Sequence, residues 1–326
     1  MGNYKTICLV AILFVFATSV FAQNGKKGQN YEVVISGNFE VMRDFSDGLA
    51  FVTLLYKEDP SFLEFGYIDK KGEFFLHALC EAYGSFSEGL AWVWDFKNWK
   101  YGYIDKTDNW VIPAQYDYAE DFHEGLAIVK SDDKYIYIDK TGESIFSTNY
   151  EEAFRFSEGL AVVCINDKYG YIDKTGKLVI PATYDRASRF SNGLAIVVED
   201  GIYKYIDHKA KTVLTTNTLE VTVDNSHECE EALFSEGLAA FYDESVDKWG
   251  YIDKKGKTII PATYNEAGHF SEGLACVKIN EKYGFINKKG KIVVDAVFNW
   301  ASSVSEGLAA VSLEDDSSAY IKIKLK

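Results

Sequence analysis

The stretch FSEGLAVVCINDKYGYIDKTGKLVIPATY, from Phe156 to Tyr184, holds three short apolar runs separated by turn residues. Leu160 to Cys164 is the first run, Tyr169 to Ile172 the second and Lys177 to Ile180 the third, with Asn166, Asp167 and Lys168 as a polar turn between the first two. Asp173, Lys174, Thr175 and Gly176 close a hairpin between the second and third. An aspartate at the first turn position accepts from the backbone two residues on, and a glycine at the fourth takes the left-handed conformation of a type I turn with a bulge. Pro181 has no N–H to donate, so the third run ends there or lies at an edge. Nothing in the stretch has the apolar period of a helix. It reads as a three-stranded antiparallel unit.

The same text returns along the chain. Its turn glycine recurs as Gly48, Gly89, Gly125, Gly159, Gly193, Gly237, Gly273 and Gly307, at steps of 34 to 44 residues, the range of solenoids and propellers. Trp249 to Gly256 with Ile260 to Tyr264, and Tyr101 to Lys106 with Ile112 to Tyr116, repeat the second and third strands. A lone unit of this size buries too little apolar surface to fold, so adjacent units must cover one another. The fold class is therefore all-β, a tandem array of about eight three-stranded units.

The ends decide between a ring and a spiral. Val33 to Phe39 precede Phe45 by the spacing at which Leu178 to Tyr184 precede Phe190, so the chain starts on a third strand. It finishes on a first strand, Gly307 to Val311, and a second, Ala319 to Ile321. These complementary ends favour a propeller-like ring, closed by the N-terminal strand, over an open β-solenoid. Closure predicts contact between Val34 and the segment Ala319 to Ile323.

Lys5, the apolar run from Ile7 to Phe16 and the small residue Ala22 read as a secretory signal peptide cleaved after Ala22. The run is shorter than the roughly 20 residues a spanning helix needs. Residues 1–22 are thus expected to be removed and residues 23–326 to form a single β-repeat domain, exported to the periplasm or beyond the cell and not membrane-spanning. The net charge of −15 repels phosphate backbones and anionic bilayers, which argues against nucleic-acid and membrane-surface partners. Cys80, Cys164, Cys229 and Cys276 remain after processing; one or two disulfides are permitted, and the three pairings cannot be ranked.

The text KWGYIDKKG at Lys248 to Gly256, together with FSEGLA and IPATY, resembles the WG-repeat family, also called KWG repeats. Most copies here carry Tyr-Gly in place of Trp-Gly, and the copy at Tyr135, Ile136 and Tyr137 lacks the glycine. The resemblance implies β-rich tandem repeats, frequent in bacterial proteins, with interaction or binding roles. It transfers no catalytic residues.

No constellation of residues marks a reaction. His77, His123, His208, His227 and His269 lack zinc-ligand spacing. Asp69, Asp105, Asp139, Asp173, Asp207 and Asp253 recur once per unit, as turn caps should, without a calcium loop. Neither cofactor nor metal is expected. Tyr67, Tyr103, Tyr137, Tyr171, Tyr205 and Tyr251 recur as packing residues between units, their hydroxyls reaching a partner. Repeat two departs from its siblings. Its Trp94 stands where other units hold Thr53, Lys130, Ser312 and Lys278, so Trp94 and Trp99 are the candidate ligand-binding residues, while Trp92 aligns with Phe51, Ile128 and Val162 and reads as core. The extra residues near Leu214 to Glu231 are a second candidate. The chain reads as a non-enzymatic exported binding or scaffold protein with a protein or glycan ligand. The alternative is a carbohydrate-active enzyme or lectin using a ring face or a central pocket.

Overall fold

A computed structural model describes residues 30–55, 63–78, 83–148, 150–216 and 233–325. Among these the chain forms eight antiparallel sheets and no helix. The unit is four-stranded rather than three. In the blade read above, Leu160–Ile165, Lys168–Asp173 and Leu178–Tyr184 are preceded by a further strand, Glu152–Ser157, and lie in the sheet in sequence order. The extra strand shrinks to two residues at Tyr118–Ala119, Arg186–Ala187 and Trp300–Ala301, too short to leave an alternating pattern in the sequence. In the second blade only a bridge between Tyr83 and Val93 remains of it.

The ring is closed. Tyr31–Gly37 pairs antiparallel with Ser318–Ile323, Val33 opposite Ile321 and Ile35 opposite Tyr320, with a bulge at Val34. The last blade therefore takes its fourth strand from the beginning of the chain, and the protein is an eight-bladed β-propeller. The blades are numbered from Phe39, so that this composite blade is the eighth.

The core lies between blades. Tyr171 and Ile180 of blade 4 pack with Phe190, Ala195 and Val197 of blade 5, and Tyr31 and Val33 close the ring against Phe285 and Phe298 of blade 7. Each fully buried side chain of this size stabilises by roughly 1.5–3 kcal/mol. The recurring tyrosines carry their hydroxyls onto the inner strand of the next blade: Tyr171 donates to Ser188 O at 2.9 Å, Tyr103 to Glu120 O at 2.8 Å, and Tyr320 to Arg43 O at 2.7 Å across the closure.

Glycine in the third strand answers to the outer strand. A Cβ on Gly170 would sit 2.6 Å from Ile180 O, and one on Gly250 2.6 Å from Ile260 O, because the outer strand bulges inward there. In blades 3 and 5, Ile136 and Lys204 replace the glycine, and both pair in regular register, with Ser147 and Thr215. The aspartates are turn caps as expected: Asp173 Oδ1 accepts the N–H groups of Thr175 and Lys177, and Gly176 is left-handed with φ 81°.

One face carries a ring of latches. Each Ser-Glu-Gly-Leu turn has two left-handed central residues, such as Glu88 (φ 55°) and Gly89 (φ 92°), the geometry of a tight type I′ hairpin. The first of the pair accepts the N–H of the next blade's glycine: Asp47 from Gly89, Glu88 from Gly125, Glu124 from Gly159, and onward through Glu272 to Gly307. A lysine from a neighbouring outer hairpin joins several of them, as Lys140 joins Glu88 at 2.9 Å and Lys288 joins Glu236 at 2.8 Å.

Candidate functional site

The inner strands bring one position per blade to the ring axis, immediately before the phenylalanine of the repeat text: Asp44, Ser85, Asp121, Arg155, Arg189 and their counterparts. Charges from non-adjacent blades meet there. Asp121 of blade 3 lies within the field of Arg43 from blade 1 and Arg155 from blade 4, and Asp44 within that of His269 from blade 7.

Beside the axis, between blades 2 and 3, is an open cavity of about 320 Å³. Blade 2 contributes Trp92 and Tyr101, whose rings meet edge to face at 5.6 Å. Blade 3 contributes Tyr118, Glu120, Asp121 and His123, and Arg155 enters from blade 4. The Tyr118 hydroxyl donates to Glu120 Oε1 at 2.8 Å. Gly84 makes the room: a Cβ there would lie 2.4 Å from the Trp92 indole and 2.6 Å from Asp121 Oδ1. Elsewhere in the ring this position holds Arg43, Glu120, Phe154 or Ser188, and in blade 7 Gly268, where a Cβ would lie 3.3 Å from Cys276 O.

Electrostatics mark Asp121. Burial pushes its carboxyl up to about 6, against the opposing pull of Arg43, Arg155, the Trp92 indole and the Ser85 N–H. Its Oδ1 is buried without a hydrogen-bond partner among the described residues, an expensive state for a carboxylate oxygen. Burial also raises Glu120, and it lowers His123 together with Arg155.

The sequence-derived candidates are in blade 2 but do not line this cavity. Trp94 is half-buried and Trp99 is 74% exposed at the tip of the blade 2 turn. Their rings meet at 5.3 Å and 85°. Trp94 is the cross-strand partner of Tyr101 and lies on the same face of its strand as Trp92. A strip therefore runs from Trp99 through Trp94 and Tyr101 to Trp92. Trp92, expected in the core, is only partly buried: it packs on the core between blades 2 and 3 and also walls the cavity, because Gly84 leaves its indole a free edge. Trp99 is left-handed, φ 57°. Asp133, Asp167, Asp247, Asp316 and Gly201 occupy that turn position in other blades.

Sequence reasoning missed Tyr118, Glu120, Asp121 and Arg155. The available signal was the position before the repeat phenylalanine, whose charge varies from blade to blade while its flanks stay constant. His208 stands at the position of the repeat lysine and lies 3.4 Å from Glu158. Cys164 and Cys276 are free and buried, with burial pushing their thiols up to about 11 and about 12. Cys80, Cys229, His227 and most of the second candidate loop lie outside the described residues. No group of metal-ligating side chains is present among the described residues, and no described helix is long and apolar enough to cross a membrane.

A family model for the WG containing repeat matches residues 29–57, 65–93, 101–135, 137–169, 169–203, 249–283 and 283–315. The chain belongs to the WG-repeat family. The matches leave 204–248 uncovered, and Ile136 and Lys204, where this WG-repeat propeller lacks the glycine, fall outside them. No curated protein matches the chain. Among solved structures it is similar to a crystal structure of the eukaryotic initiation factor, at 10% identity and a TM-score of 0.56, covering 86% of this chain and 82% of that one. A second similar structure is the Neurospora crassa Pan2 WD40 domain, at 12% identity and a TM-score of 0.41, with 89% and 90% of the two chains covered. At such identities the likeness concerns the fold alone. A WG-repeat propeller is a repeat-based scaffold for binding.

Proposed function

We propose that this WG-repeat propeller is an exported, non-enzymatic binding protein whose ligand is taken up between blades 2 and 3, along the strip from Trp99 to Trp92 and against the floor formed by Glu120 and Asp121. The observation that carries this reading is Trp99. Holding a bulky side chain in a left-handed turn costs on the order of 1–2 kcal/mol, and exposing an indole to water forfeits its burial as well. A residue that is unfavourable on both counts, in the blade that supplies the aromatic wall of the cavity, is accounted for by contact with a ligand.

Binding accounts for the carboxylates better than catalysis does. The repeated ones are committed to turns and latches. Glu120 and Asp121 are consecutive on one inner segment and line the same side of the cavity, whereas hydrolysis of a glycosidic bond needs two carboxyls flanking it.

The test is a comparison of the chain beginning at Gln23 with its Trp99→Ala and Asp121→Asn variants against immobilised peptide and glycan libraries. A ligand retained by the unaltered protein and lost by both folded variants is expected. Retention by the variants at full affinity removes the reading. Export is tested by N-terminal sequencing of the mature protein, where a start at Gln23 is expected and an intact Met1 would count against it.

A further inference from the structure

We infer that the ligand of this site is an uncharged oligosaccharide, its sugar rings lying along Trp99, Trp94 and Trp92 and its hydroxyls meeting Asp121 and Arg155. The inference rests on the preceding assignment of the ligand site and adds the chemical class of what fills it.

The floor of the cavity presents both halves of a hydrogen bond. Asp121 and Arg155 both line it, and a carboxylate accepts where a guanidinium donates. A hydroxyl donates and accepts at once, so adjacent hydroxyls on one ring can bond to both kinds of group. Charged ligands fit less well. A cation approaching Asp121 meets Arg155 and the nearby Arg43, and an anion meets Asp121 and Glu120. With both signs on the floor, only a neutral polar ligand avoids repulsion.

The wall supplies the other half of the recognition. A pyranose ring has a face of C–H bonds that packs on an aromatic plane, and an aromatic-lined pocket with few, fixed polar groups is the usual form of a small-molecule site. Four aromatic side chains from the turn tip to the axis are more than one sugar covers. The Trp94 and Trp99 rings stand at 85° to each other, so successive rings would change inclination along the strip. A chain of linked rings matches this, since each linkage can rotate. A peptide added as a strand would instead need an open backbone edge, and the strip presents side chains.

The experiment is a neutral-glycan microarray probed with the labelled chain from Gln23, followed by calorimetric titration of the best-bound oligosaccharide. The titrations compare the unaltered chain with Trp99→Ala, Trp94→Ala and Asp121→Asn. Trp110→Ala, an exposed tryptophan on the outer strand of the same blade, serves as control, and thermal unfolding verifies the fold of each variant. Trp99→Ala and Trp94→Ala are expected to weaken binding at least tenfold and Asp121→Asn three- to tenfold, with Trp110→Ala unchanged. A peptide or charged ligand that binds in a Trp99-dependent manner while neutral glycans do not would overturn the saccharide class and leave the site standing. Glycan binding unaffected by all three site variants would overturn the site itself. Absence of any bound glycan at about 1 mM would also overturn the saccharide class.

Discussion

The carboxylate of Glu306, in the last blade, accepts the backbone N–H of Gly48, in the first, at 3.0 Å, and Lys70 closes on it at 2.9 Å. This contact joins chain segments 258 residues apart and is the same latch that ties every other neighbouring pair. It explains why the turns use glutamate in a left-handed position that suits asparagine or glycine better: the side chain has a second task in the next blade. Glu272 makes the latch to Gly307, but Ile323 stands where a lysine would be. Blade 8 has no outer hairpin to carry that lysine, since its outer strand comes from the N-terminus.

Substitution at a latch separates the two costs. Glu88→Ala loses the contact with Gly125 and keeps a left-handed non-glycine residue, so a loss of about 1–2 kcal/mol is expected. Glu88→Gly also loses the contact but relieves the backbone, and should be less destabilised by about 1 kcal/mol. Urea unfolding of the pair measures the difference; equal losses would refute the account of the turn.

The pH dependence of stability has two opposing parts. For Glu88, Glu236 and Glu306, burial alone would raise the carboxyl, but the lysine and glycine N–H contacts outweigh it and hold each below the ordinary value. Their contribution is complete above the unfolded value, about 4.3, and is lost as pH falls through the folded one. Asp121 runs the other way. Its folded value of about 6 exceeds the unfolded 3.8, so ionised Asp121 costs stability that returns as pH falls from above 6 towards 4. Asp121→Asn should therefore stabilise by roughly 2–3 kcal/mol at pH 8 and by nothing near pH 4, as read from denaturant midpoints at the two values.

Trp99→Gly should raise stability by about 1 kcal/mol, because glycine adopts the left-handed conformation without strain. The same change should abolish ligand binding. A lower melting temperature would show that Trp99 is there for packing.

Where the outer strand bulges opposite it, the glycine of the third strand has no room for a side chain. Gly170→Ala should cost about 1–3 kcal/mol, since its Cβ meets backbone that must shift. Ile136→Gly, at a position paired in register with Ser147, places the family's glycine where no bulge lies opposite and should destabilise through lost packing. A stabilising Ile136→Gly would contradict this division.

Closure can be opened at a single side chain. Ile35→Ala removes a fully buried residue from the strand that completes blade 8 and should cost about 2–5 kcal/mol. Loss of cooperativity in the urea transition, with blades 8 and 1 first to exchange amide hydrogens, is the expected signature.

Much of this protein was legible in one copy of its repeat. The Asp-Lys-Thr-Gly hairpin, the inter-blade tyrosines and the complementary ends follow from local rules: a turn needs a left-handed glycine, and a strand that begins the chain without partners must find one at the other end. Trp94 and Trp99 stood out in the sequence because blade 2 alone puts tryptophan at those two positions. The inner strands were not. Two-residue pairings such as Arg186–Ala187 on Val197 and Val198 are shorter than any period and are imposed by crowding at the axis.

The sequence by itself determined the repeating β unit, its turns and the agreement of its two ends, since each is a matter of backbone preference over a few neighbouring residues. Only the tertiary structure decided that Arg43, Asp121 and Arg155, drawn from blades 1, 3 and 4, share one low-dielectric space beside Trp92. Radial closure converts positions far apart in the chain into neighbours around an axis, and the field they make together belongs to none of them singly.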